Sequence, residues 1–214
     1  MIPAYHWILQ PEERARPRNA SVTGLLRQPA RSDHPVRILA IAGSLRQASS
    51  NGALVNVAAA LPLASAELVV YGGLAAMPPF NPDNDGDAAP EAVRRFRQHL
   101  FACDAVLIAS PEYAHGVPGA LKNALDWVIE SGELVDKPVA LISASARARY
   151  AWAALVEILT TMSARVIGEA SITLSLQGRT LDAVGMAGDL ALRTSLTRAL
   201  DALARAARDR RKTD

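Results

Sequence analysis

The sequence predicts an α/β fold, an open and doubly wound sheet of parallel strands, on three observations. Continuous apolar runs of strand length recur along the chain, stretches of helical length separate them, and the two alternate five times. Right-handed crossovers between such strands put helices on both faces. At 214 residues, half of them apolar and 21% charged, the chain suits one well-buried domain.

Residues 1–34 mix Pro3, Pro11, Pro17 and Pro29 with Arg, Ser and Asn and carry no apolar period, so they read as a loose extension to a domain spanning 35–214. Within it, the cluster Tyr5, His6, Trp7, Ile8, Leu9 either docks on the body or a neighbouring subunit or has no function. Residues 36–42 (VRILAIA) form the first strand, apolar throughout as in a sheet buried on both faces. A helix follows over 52–60, behind the capping types Ser49, Ser50 and Asn51. Strands are expected at 66–71, 105–109, 138–143 and 165–174, and helices at 90–100, 118–130, 150–162 and 190–210. In the helix over 118–130, Leu121, Leu125 and Val128 point to the sheet and Trp127 lies on the flank. The last helix ends in Arg205, Arg208, Arg210, Arg211 and Lys212, cations suited to a negative helix terminus and read as a solvated, fraying end.

The formal charge of +2 is local, because residues 1–35 hold five arginines and three acids and the remainder holds 18 of each sign. A neutral body offers no electrostatic footprint for nucleic acid. Cys103 is the one cysteine and stands where a strand begins, which reads as a buried structural thiol and suits a reducing cytoplasm. No run approaches the ~20 apolar residues of a membrane span, and no export signal is visible. The expectation is a soluble, cytoplasmic protein with no membrane partner and no metal site.

Two loops carry the chemistry. Gly43 to Asn51 and Pro111 to Pro118 each leave an apolar strand and enter a helix. The first lacks the lysine of a Walker loop and, with Leu45 and Ala48, the later glycines of a dinucleotide fingerprint. What remains is Ser44, Ser49, Ser50 and Asn51 at a helix start, where free N–H groups and the dipole favour a phosphate, with Arg46 as a charged contact. The same residues also serve as ordinary helix caps. The second loop can cover a flat ring, so the pair suggests a flavin site.

These residues resemble the NADPH-dependent FMN reductase family, a flavodoxin-like group that includes quinone, azo-dye and chromate reductases. The likeness rests on Gly43-Ser44-Leu45-Arg46 with Ser49 and Asn51, and on Pro111-Glu112-Tyr113 with Val117-Pro118-Gly119-Ala120-Leu121-Lys122-Asn123-Ala124-Leu125-Asp126-Trp127; it covers roughly residues 36–175. It implies a flavodoxin-like, five-stranded sheet of order 2-1-3-4-5, in which strands 1 and 3 flank the switch point and their loops share one crevice. By that resemblance Ser44, Arg46, Ser49 and Asn51 hold the FMN phosphate, and Pro111, Glu112 and Tyr113 line the isoalloxazine.

Two stretches depart from the family's pattern. Ala114, His115 and Gly116 follow Pro-Glu-Tyr where relatives carry an Asn; His115 either donates a hydrogen bond near the flavin or substrate or faces solvent. The run from Ser143 to Tyr150 has no glycine where relatives have a Gly-rich turn. Ser143 and Ser145 remain candidate flavin contacts there, and Arg147 and Arg149 are either a seat for a dinucleotide's phosphate or surface charges.

The resemblance implies an oxidoreductase that passes a hydride from NADPH or NADH through FMN to a quinone, azo compound or flavin, with no dedicated catalytic acid or base. It also implies a homodimer or homotetramer with Lys122, Asp126 and Trp127 as candidate interface residues. The alternatives are a flavodoxin-like electron carrier or flavin-binding sensor, or a homologue that keeps the fold without FMN.

Overall fold

Val36–Ala42 (β1) and Ala105–Ala109 (β3) form the centre of the sheet, and each buries alternate residues on opposite faces. In the computed structural model, which describes residues 34–174 and 183–213, they join Ala66–Tyr71 (β2), Pro138–Ser143 (β4), Arg165–Val166 (β5) and Ile172–Thr173 (β6). All pairings are parallel, in the order β2-β1-β3-β4-β5, with β6 also on β4. The expected extension, but for His34, lies outside the described residues.

On one face Ser50–Ala59 (α1) and Leu190–Arg211 (α6) pack Leu54, Val55, Leu196, Leu200 and Leu203 against Ile38, Ala40 and Leu107. The short Ala183–Gly188 (α5) adds Met186 to this layer. On the other, Glu91–Ala102 (α2), Gly119–Asp126 (α3) and Arg149–Thr161 (α4) pack Phe96, Leu121, Leu125, Leu155 and Leu159 against Leu39, Ile41, Val106 and Ile108. Each such side chain, fully buried, contributes roughly 1.5–3 kcal/mol by leaving water. The result is a three-layer sandwich with both sheet faces covered.

Three expectations are corrected. The strand expected over 165–174 is two strands, interrupted by the 3₁₀ turn Gly168–Ala170. The gap does not orphan the sheet edge: Ser171 Oγ accepts from Leu141 N at 3.1 Å and donates to Ile167 O at 2.8 Å, replacing a ladder bond. The helix expected over 118–130 stops at Asp126, and Trp127 is buried within the chain rather than on its flank. Its indole N–H and the Asn123 Nδ2 both donate to Pro78 O at 2.8 Å, and Asn123 Oδ1 accepts from Phe80 N. Lastly, the end of α6 is not frayed. Arg211 grips Asp104 with two nitrogens and donates to His34 O, while Asp104 also accepts from Arg37 N, so the last turn is fastened beside the start of β1.

At the edge of the sheet where the strands begin, Lys137 is almost wholly buried, with no carboxylate in hydrogen-bond contact with its nitrogen among the described residues. It donates to Leu100 O and Cys103 O, carbonyls at the negative end of α2, and lies 3.8 Å from Cys103 Sγ. Burial pushes the Lys137 ammonium below its usual range and the Cys103 thiol above its own.

Candidate functional site

Because β1, β3 and β4 are parallel neighbours, the loops that leave their C-terminal ends open at one edge of the sheet. Each loop is tied to the other two. Ser44 Oγ and Tyr113 OH lie 2.8 Å apart, joining the first loop to the second. Asn51 Oδ1 accepts from Ala144 N at 3.0 Å, joining the first to the third. Glu112 Oε2 accepts from Tyr150 N and Ala151 N at 2.7 and 2.9 Å, joining the second to the third.

Gly43 turns the chain into the first loop. Its N–H extends the sheet to Ala109 O, and a Cβ there would stand 2.9 Å from Leu121 Cδ2 and 3.2 Å from Ser110 Oγ, so a larger residue would have to push the buried Leu121 side chain aside. Beyond it Ser44 Oγ accepts from Arg46 N, and Ser49 caps α1 by accepting from Gly52 N. The N–H groups of Gln47, Ala48, Ser49, Ser50 and Asn51 have no acceptor among the described residues. Five successive free donors at a helix start can cradle an anion, and the exposed Arg46, with no acid paired to it among the described residues, adds a positive charge.

The second loop makes a two-residue turn: Tyr113 and Gly116 exchange both backbone hydrogen bonds, and Ala114 and His115 between them are left-handed, with φ of 48° and 58°. Such turns normally take Asn and Gly, so two ordinary side chains here store strain of about 1 kcal/mol each. The turn lays the His115 ring on that of Tyr150, with centroids 4.5 Å apart and planes at 23°. Pro111 is half-buried at its base, and Tyr113 is exposed.

In the third loop Ser143 is buried, and its hydroxyl donates to Ser145 O and accepts from Ser145 N. The hydroxyl of Ser143 and the side-chain oxygen of Asn51 thus hold the scaffold, whereas Ser44, Arg46, Tyr113 and His115 stay at the surface of the crevice. Glu112 does what no residue near Ala148 does: it caps α4, whose own N-terminus lacks a capping side chain. That missing cap was the available sign of a partner from elsewhere. The roles of Tyr150 and Ala144 left no local mark.

A run of free N–H groups and a strained turn thus lie side by side in this crevice. Residues 36–178 match the family model described as NADPH-dependent FMN reductase. An NAD(P)H-dependent FMN reductase of Pseudomonas aeruginosa is 34% identical over 178 residues, covering 78% of this chain and 93% of that protein. A 2-hydroxy-1,4-benzoquinone reductase of a Burkholderia species is 40% identical over 115 residues, 51% of this chain and 61% of its own length. Among solved structures, FerB of Paracoccus denitrificans, a flavoenzyme NAD(P)H:(acceptor) oxidoreductase, superposes with a TM-score of 0.71 at 27% identity, covering 81% of this chain and 98% of that one.

Proposed function

The chain belongs to the NADPH-dependent FMN reductase family and is an FMN-dependent oxidoreductase, and on that premise we propose that it reduces quinones by two electrons at the crevice of the three loops. In sum, NAD(P)H, one proton and a quinone give NAD(P)⁺ and a hydroquinone. FMN, when bound, supplies the redox chemistry that links donor and acceptor.

The observation that carries the reading is the cradle of free N–H groups from Gln47 to Asn51. A phosphate dianion fits it, because it would bring acceptors to donors that have none among the described residues, at the positive end of α1. Ser44 and Arg46 would hold the phosphate with side chains, and Ser49 and Asn51 with N–H groups. Pro111, Glu112 and Tyr113 would line the ring's side of the crevice, Glu112 by holding the loop on α4. His115, stacked on Tyr150, would be a further ring contact, and Ser143 would shape the third loop.

Nothing in this site calls for a general acid or base, so the chain's work is to bind, orient and exclude water. The free, buried Cys103 supports a cytoplasmic setting, and the partly exposed Lys122–Asp126 pair on α3 supports a face shared in a homodimer or homotetramer. Light scattering reads the latter.

Anaerobic mixing of FMN-loaded protein with NADH or NADPH tests the function. The flavin absorbance at about 450 nm bleaches if the reading holds, and persists if it fails. Arg46→Ala should weaken FMN retention about tenfold.

A further inference from the structure

The turn at Ala114-His115-Gly116 and the start of α4 come together in space. His115 lies on Tyr150, and with Glu112, Ala146, Arg147 and Arg149 they line one open cavity of about 620 Å³. That volume suits a small organic ligand.

The wall has a definite chemistry. Neither Arg147 nor Arg149 has an acid or any other side-chain partner for its guanidinium among the described residues. The one carboxylate in the lining, on Glu112, is already engaged by two N–H groups at the start of α4. Two arginines without an acid partner among the described residues therefore line the cavity, against one carboxylate already engaged, beside a stacked aromatic pair. Guanidinium forks favour delocalised oxyanions such as carboxylate and sulfonate, and an aromatic pair favours a flat ring.

We propose that this cavity selects flat aromatic acceptors that carry an anionic substituent, the ring resting by His115 and Tyr150 and the anion on Arg147 and Arg149. The proposal rests on the reductase reading. The reaction is unchanged by the substituent: two electrons and two protons, from NAD(P)H and one solvent proton, convert both quinone carbonyls to hydroxyls.

The test compares anthraquinone-2-sulfonate with the neutral quinone menadione, each with NADH and with NADPH as donor. For the Arg147→Ala/Arg149→Ala double variant, the ratio of kcat/KM for the sulfonated to the neutral quinone should fall about tenfold with either donor, and Arg147→Lys/Arg149→Lys should recover part of it. A fall below about fivefold overturns the proposal, including the outcome in which only the preference for NADPH over NADH changes, which marks a seat for the dinucleotide's phosphate instead. A binding titration needs no turnover: naphthalene-2-sulfonate should bind the wild-type holoprotein about tenfold more tightly than 2-naphthol, and the double variant should lose that preference. Equal affinities in the wild type also overturn it. Inactivity toward both quinones, with the sulfonate preference intact, would sink the reductase reading and leave the anion seat standing.

Discussion

The hydroxyls of Ser44 and Tyr113, 69 residues apart in the chain, lie 2.8 Å from each other. The contact exists because β1 and β3 pair in parallel from Ile38 with Ala105 to Ala42 with Ala109, so both loops leave the sheet at one level. The loop that enters α1 and the loop that enters α3 thus become two sides of one crevice.

Glu112 holds the second loop to α4 by accepting from two N–H groups that no nearby side chain caps. Glu112→Ala should cost about 1–2 kcal/mol, read as a lower denaturation midpoint at unchanged slope. Hydrogen exchange at Tyr150 and Ala151 should quicken as well.

Ala114 is left-handed with an ordinary side chain. Ala114→Gly should therefore stabilise the protein by about 1 kcal/mol, a rise in Tm of roughly 2–4 °C for a chain of this size. Calorimetry checks both.

Burial disfavours the charged form of Lys137, so its folded pKa lies below the usual 10.5. Its penalty is full below that lowered pKa and fades as pH rises toward 10.5, since the unfolded chain binds the extra proton in that window. In a Cys103→Ala background, stability should climb with pH through the window relative to Lys137→Met. Urea titrations at a series of pH values read the difference between the two curves.

Burial raises the Cys103 pKa and keeps the thiol protonated near neutral pH. Its reaction with a coloured disulfide reagent should be about 100-fold slower in the native protein than in denaturant. Comparable rates would show that the α2 end opens readily.

The strands of the sheet centre were legible because residues such as Val106, Leu107 and Ile108 are buried on both faces and leave an unbroken apolar run. The edge after β4 was not, since its continuity at 167–171 depends on the Ser171 hydroxyl standing in for a backbone group, which no periodicity records. The same holds at the site. Ser44, Arg46 and Tyr113 announce themselves as types in a strand-to-helix loop, while Glu112 on α4, Asn51 on Ala144 and His115 on Tyr150 are pairings across 35 or more residues that only the fold creates. Arg211 looked like a solvated end for the same reason, its partner Asp104 being 107 residues away.

The central claim is that the loop from Ser44 to Asn51 grips a phosphate. Titrating the flavin-free protein with FMN and with riboflavin, which differ by that group alone, tests it most directly. The account predicts that FMN binds about 100-fold more tightly or better, with the margin shrinking in Arg46→Ala; equal affinities for the two would contradict it.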